Sequence, residues 1–143
     1  MASIKIETGV NTYDIEDEHG NVRGQISFNP TDMNFYKRAM EFSEAIDSWL
    51  ADVQHITQKS TDKEVAEEIT EFDNKVKSQI NELFGDKNTS NVVFGNQNAF
   101  NTLNGVTFIE RFLNAFMPII EAEFKKEMDK SKQHIEKYTE QVK

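Results

Sequence analysis

At 143 residues and 16.5 kDa the chain has room for one domain with a single core. It has no cysteine, which excludes a disulfide framework and thiolate metal sites, and its net charge of -9 would repel a phosphate backbone. Nucleic-acid binding is therefore not expected. The segment MASIKIETG has neither the basic lead nor the apolar stretch of a signal peptide. No window approaches the ~20 apolar residues of a membrane span. A soluble intracellular protein with no membrane contact is the expectation.

The first third alternates in the manner of strands. Ile4 and Ile6, then Tyr13 and Ile15, then Val22, Gly24, Ile26 and Phe28 stand apart from polar neighbours by two. Between the last two runs, EDEHGN supplies turn chemistry, with Gly20 free to take a positive φ. This predicts a hairpin over 11–28, with 3–8 as a possible third strand. Asn29-Pro30-Thr31-Asp32 then reads as a helix start, with Asn as the cap and Pro at the first helical position.

Three long helices follow. Phe35, Ala39, Phe42, Ile46, Leu50 and Val53 recur at three and four, which predicts a helix over 32–57. Thr61 and Glu64 form a capping box for a second over 62–84, carrying Ile69, Phe72, Val76, Ile80 and Leu83 and closed by Gly85. Residues 86–105 are turn-rich, with Val92, Val93, Phe94 and Phe100 suggesting one or two short helical turns. Thr107 and Glu110 box a third helix over 107–140, in which Pro118 should impose a kink or break.

Charge and aromatics are both unevenly spread. Ten acids against Lys59 and Lys63 fill residues 41–73, whereas 121–143 balance six acids with six lysines. Seven of the eleven phenylalanines lie between Phe84 and Phe124. The expected core joins Phe72, Ile80, Phe84, Phe108 and Phe112, with Trp49 also inside. The fold class expected is mainly α (α+β). A small N-terminal β-hairpin packs on a bundle of three long helices plus short helical turns. One domain, 1–143, comprises a hairpin region 1–30, a helical core 31–124 and a charged helical tail 125–143 that packs little.

No catalytic constellation emerges. His19, His55 and His134 are far apart and none has a second ligand at helical spacing, so each reads as a surface or satisfied side chain. Asp14 to Glu18 resembles the opening of a calcium loop, but His19 replaces its glycine and Gln25 its bidentate glutamate. Gly95-Asn96-Gln97-Asn98 lacks the phosphate-loop lysine. An enzyme, a metal and a cofactor are all unexpected.

The succession FDNKVKSQINELFG (72–85), NVVFGNQNAF (91–100), an aromatic helix and a lysine-rich tail with KYT (137–139), after ISFNPTD (26–32), resembles the tail assembly chaperones of long-tailed phages and prophages of Gram-positive bacteria. The resemblance implies a helical protein that binds and solubilises the tape measure protein, helps recruit major tail protein, and is absent from the mature virion. A homo-oligomer is possible. Such a role needs an adaptable apolar groove with a charged rim. Phe108, Phe112, Phe116 and Met117 could supply that groove, although Phe108 and Phe112 read first as core. Phe116, Met117, Ile120 and Phe124, beside the expected break at Pro118, read equally as core or as partner-binding residues and form the candidate site. Two other readings stay open. An acidic inhibitor imitating nucleic acid would lose its target in high salt, and a structural virion subunit would be found in purified particles.

Overall fold

The computed structural model describes residues 2–59 and 61–142. It is mainly helical, with one β-hairpin against the helices and a second, very short one beside them. Strands β1 (Asn11–Glu16) and β2 (Val22–Phe28) pair antiparallel, with Tyr13 opposite Ile26 and a bulge at Ile15/Glu16. Their turn is organised by Asp17, whose Oδ1 accepts the backbone N–H groups of His19 and Asn21, each at 2.9 Å. These bonds, that from Asn21 first, hold the Asp17 carboxyl below its ordinary pKa. On the inner face Ile26 and Phe28 are buried, and Tyr13 stacks on Phe28 at 4.6 Å.

The expected third strand is absent: residues 3–8 have no regular structure, and Ile4 and Ile6 are 90% and 79% exposed. The cause lies at Gly9, whose φ of +81° redirects the chain just before β1. A Cβ there would stand 2.9 Å from Asn29 Nδ2, the same group that donates to Thr8 O at 2.8 Å.

Helix α1 (Met33–Lys59) starts three residues later than the Asn29-Pro30 signal suggests. Asn29 instead caps a turn, its Oδ1 accepting from Thr31 N and Oγ1, and Asp32 becomes the helix cap by accepting from Asn34 N at 3.0 Å. Helix α2 (Asp62–Phe84) is capped by Thr61 and ends on Gly85 at φ 66°. Gly85 N bonds Glu82 O and Asp86 N bonds Asn81 O, the double closure of a Schellman motif. The two helices face each other through Phe35, Ala39, Phe42 and Ile46 on α1 and Val76, Ile80 and Leu83 on α2, all buried.

One short helix, α3 (Thr89–Phe94), has no cap from its own Asn88; Asn81 of α2 supplies one by accepting from Ser90 N at 2.8 Å. It lies under β2 at Gly24, where a Cβ would come within 2.8 Å of Val92. Strands β3 (Thr102–Leu103) and β4 (Val106–Thr107) then form a hairpin that the sequence reading did not foresee. Its turn is Asn104-Gly105, at φ 54° and 80°, the positive pair that a tight two-residue turn requires.

Helix α4 (Phe108–Val142) follows, boxed as expected: Thr107 Oγ1 donates to Glu110 Oε1 at 2.8 Å and accepts from Glu110 N at 3.3 Å. Pro118 does not break it. The proline and Asn114, whose carbonyl loses its partner, both sit on the exposed side, where water can serve that carbonyl. The helix therefore keeps one inward stripe, Ile109, Leu113, Phe116 and Ile120. Beyond Phe124, residues 125–139 are exposed, as anticipated for the tail.

One buried acid ties these parts together. Asp73 of α2 accepts from Ala99 N at 2.7 Å and from Lys77 Nζ at 3.0 Å. It thereby pins the loop before β3, whose carbonyls accept from the start of α4, Ala99 O from Ile109 N and Asn101 O from Phe108 N.

Candidate functional site

The aromatic residues converge from four elements on Phe28. Around its ring stand Phe35 at 5.3 Å, Phe84 at 5.7 Å and Phe116 at 5.2 Å, and Phe112 stacks on Phe116 at 5.3 Å. Mixed edge and stacked geometry suits ring quadrupoles and packs the hairpin onto α1, α2 and α4 at once. The expected core is only partly realised. Ile80 is fully buried, but Phe72, Phe84, Phe108 and Phe112 are half-buried around the periphery. Phe94, Ile46, Ile109 and Ile120 take the centre.

The four candidate partner-binding residues do not form an exposed surface. Phe116 and Ile120 are buried, at 3% and 0% exposure. Met117 is half-buried and lines a shallow recess with Met40, Ile46 and Leu50 of α1. Phe124 stacks on Tyr36 of α1 at 4.4 Å. The reason is the unbroken helix: with no break at Pro118, the three-four periodicity carries these side chains onto α1 rather than out into solvent.

An open apolar surface does exist, about a quarter-turn round the same helix. Phe108, Phe112, Ala115 and Ile119 of α4 face the hairpin across a cleft of about 580 Å³. Phe28, Ile26, Val93 and Phe116 form its floor, Tyr13 and Ile15 its far wall, and Leu103 of β3 one end. Ile119 and Leu103 are 38% and 60% exposed. The rim on the hairpin side carries four acids, Asp14, Glu16, Asp17 and Glu18, and one base, Arg23. Arg111 lies along the α4 side, donating to Val106 O and resting 5.0 Å from the Phe108 ring centroid. Its guanidinium thus extends the apolar wall as well as bearing charge.

Sequence reasoning named Phe108, Phe112 and Phe116 as possible groove residues but not Ala115 or Ile119, although the signal for a whole second stripe was present. FIERFLNAFMPII is apolar on two stripes, 109/113/116/120 and 108/112/115/119. A helix against one core needs one. The second stripe marks the surface left over.

No protein-family model, curated protein or solved structure matches the chain. Among the described residues no group of three or more His, Cys, Asp or Glu is placed to hold a metal ion, and no helix is long and apolar enough to cross a membrane.

Proposed function

We propose that the protein is an assembly chaperone that holds an apolar helix of its client in the cleft between the β1–β2 hairpin and α4. The client is a tape measure protein, as the resemblance to phage tail assembly chaperones implies, and major tail protein is the second partner. The observation that carries this reading is the cleft itself: a pre-formed, aromatic-floored channel with exposed apolar lips and a charged rim. An amphipathic helix presents side chains at three and four along one face, and Phe108, Phe112, Ala115 and Ile119 offer the matching spacing. The acidic faces of α1 and α2 would keep the complex soluble.

Co-expression with the tape measure protein tests it. The wild-type chain should raise the soluble fraction of the client. Ala115→Arg, which fills the cleft from an exposed position, and Leu103→Asp with Ile119→Asp should lower binding about tenfold or more while the circular dichroism spectrum is unchanged. A wild-type chain that leaves the client insoluble sinks the chaperone reading; variants that perform as well as wild type sink the cleft as its site.

A further inference from the structure

The uncovered part of α4 is patterned. Among residues 125–139, Met128, Ile135 and Tyr138 are large apolar groups that are 42%, 60% and 65% exposed. Phe124, Met128, Ser131, Ile135 and Tyr138 follow one another at steps of four, three, four and three, and the sequence continues the spacing to Val142. That is the alternation of the two inner positions of a heptad, the seam of a coiled coil. Within the body, Tyr36 of α1 stacks on the first member of this seam, Phe124. Past it the described exposed stretch, residues 125–139, runs on for roughly 22 Å with nothing against the stripe.

We propose that this tail pairs with the same tail of a second copy of the chain, as a parallel, in-register, two-stranded coiled coil. Charge selects both occupant and direction. With Met128 and Ile135 at the first inner position of their heptads, Glu127 and His134 flank the seam on one side and Lys125 and Lys132 on the other. In a parallel pair each flanking residue meets the opposite-side residue five positions on in the other helix, so Glu127 of each copy meets Lys132 of the other. Two attractive pairs result. An antiparallel pair instead sets same-side residues against each other and brings the lysines together. Among the described residues neither Glu127 nor Lys132 has an ion pair within its own chain, so both are free to serve. The seam is short and contains Ser131 at an inner position, so the dimer is a reversible one that forms with concentration. This assembly is independent of the cleft, which lies on the hairpin side of the helix body.

The absence of cysteine makes the test direct, because each introduced thiol is the only one in its chain. Met128→Cys and Ile135→Cys should both cross-link to dimers on mild oxidation, whereas Gln133→Cys, on the outer face, should not. An antiparallel pair can set at most one of the two seam positions opposite itself. In sedimentation equilibrium the wild-type mass should rise from monomer towards dimer, up to about 100 μM, and Ile135→Asp should stay monomeric with an unchanged circular dichroism spectrum. Glu127→Lys should weaken the dimer about tenfold, and Glu127→Lys with Lys132→Glu should restore it. A wild-type chain that remains monomeric across that range overturns the proposal. So does cross-linking of only one seam cysteine, or self-association that survives Ile135→Asp.

Discussion

The two halves of α4 belong to one helix and live under different rules. From Phe108 to Phe124 the helix is wedged between α1 and the hairpin, with Ile109, Leu113, Phe116 and Ile120 buried. From Lys125 to Thr139 every residue is exposed. Propensity would favour the second half, rich in Lys, Glu and Gln, over the first, which holds Pro118, four Phe and three Ile. Tertiary burial overrides it, and locates stability in the first half and availability in the second. The comparison teaches where function can sit. The first half presents a packed stripe and, beside it, an open one facing the cleft. The second presents a stripe with nothing against it.

The contrast should be widest for core truncation. Phe116→Ala should destabilise the fold by ~3–5 kcal/mol, the usual range for a buried phenylalanine, while Ile135→Ala should cost under ~0.5 kcal/mol in dilute protein. Chemical denaturation of both variants checks this, and equal losses would erase the distinction between the halves. Next in size is the tie that positions the start of α4. Asp73→Ala strips the acceptor from the buried Ala99 N–H and should cost about 2–3 kcal/mol. Hydrogen exchange should then quicken at Ala99 and Ile109 before it quickens in α1.

Deleting 129–143 should leave the thermal midpoint of dilute protein within about two degrees of wild type, because exposed residues away from packing contribute little. A fall of ten degrees or more would mean that the tail docks on its own body. The smallest effect belongs to Asp17. Its carboxyl is held below the ordinary value in the folded hairpin, so its contribution is present above the unfolded carboxylate pKa and is lost as pH falls through the lower, folded value. Amides at His19 and Asn21 should lose protection over that acidic window, and Asp17→Asn should flatten the dependence.

Much of the architecture was legible before any coordinates. Helices expected over 32–57, 62–84 and 107–140 occupy Met33–Lys59, Asp62–Phe84 and Phe108–Val142, because capping residues and three-four periodicity are local signals that tertiary structure reinforces. The Asn104-Gly105 hairpin was equally local and was overlooked, since its strands are only two residues each. Other features were not readable. Asp73 is one acid in an acidic run, and nothing in the sequence marks it as the one turned inward to Ala99. Pro118 lowers helix propensity but does not end the helix, because the carbonyl of Asn114 that it frees lies on the exposed side, where water can serve it. Too much weight on Pro118 set Phe116, Met117, Ile120 and Phe124 beside a break in the helix, whereas the continuous helix packs them inward and against α1.

The cleft is the central claim, and backbone amide shifts on titration with an apolar amphipathic helical peptide from the tape measure protein test it most directly. Shifts concentrated at Leu103, Phe112, Ala115 and Ile119, and persisting in about 1 M salt because apolar burial is not screened, are the predicted result. Shifts confined to the exposed acidic faces of α1 and α2, and abolished by the same salt, would contradict it.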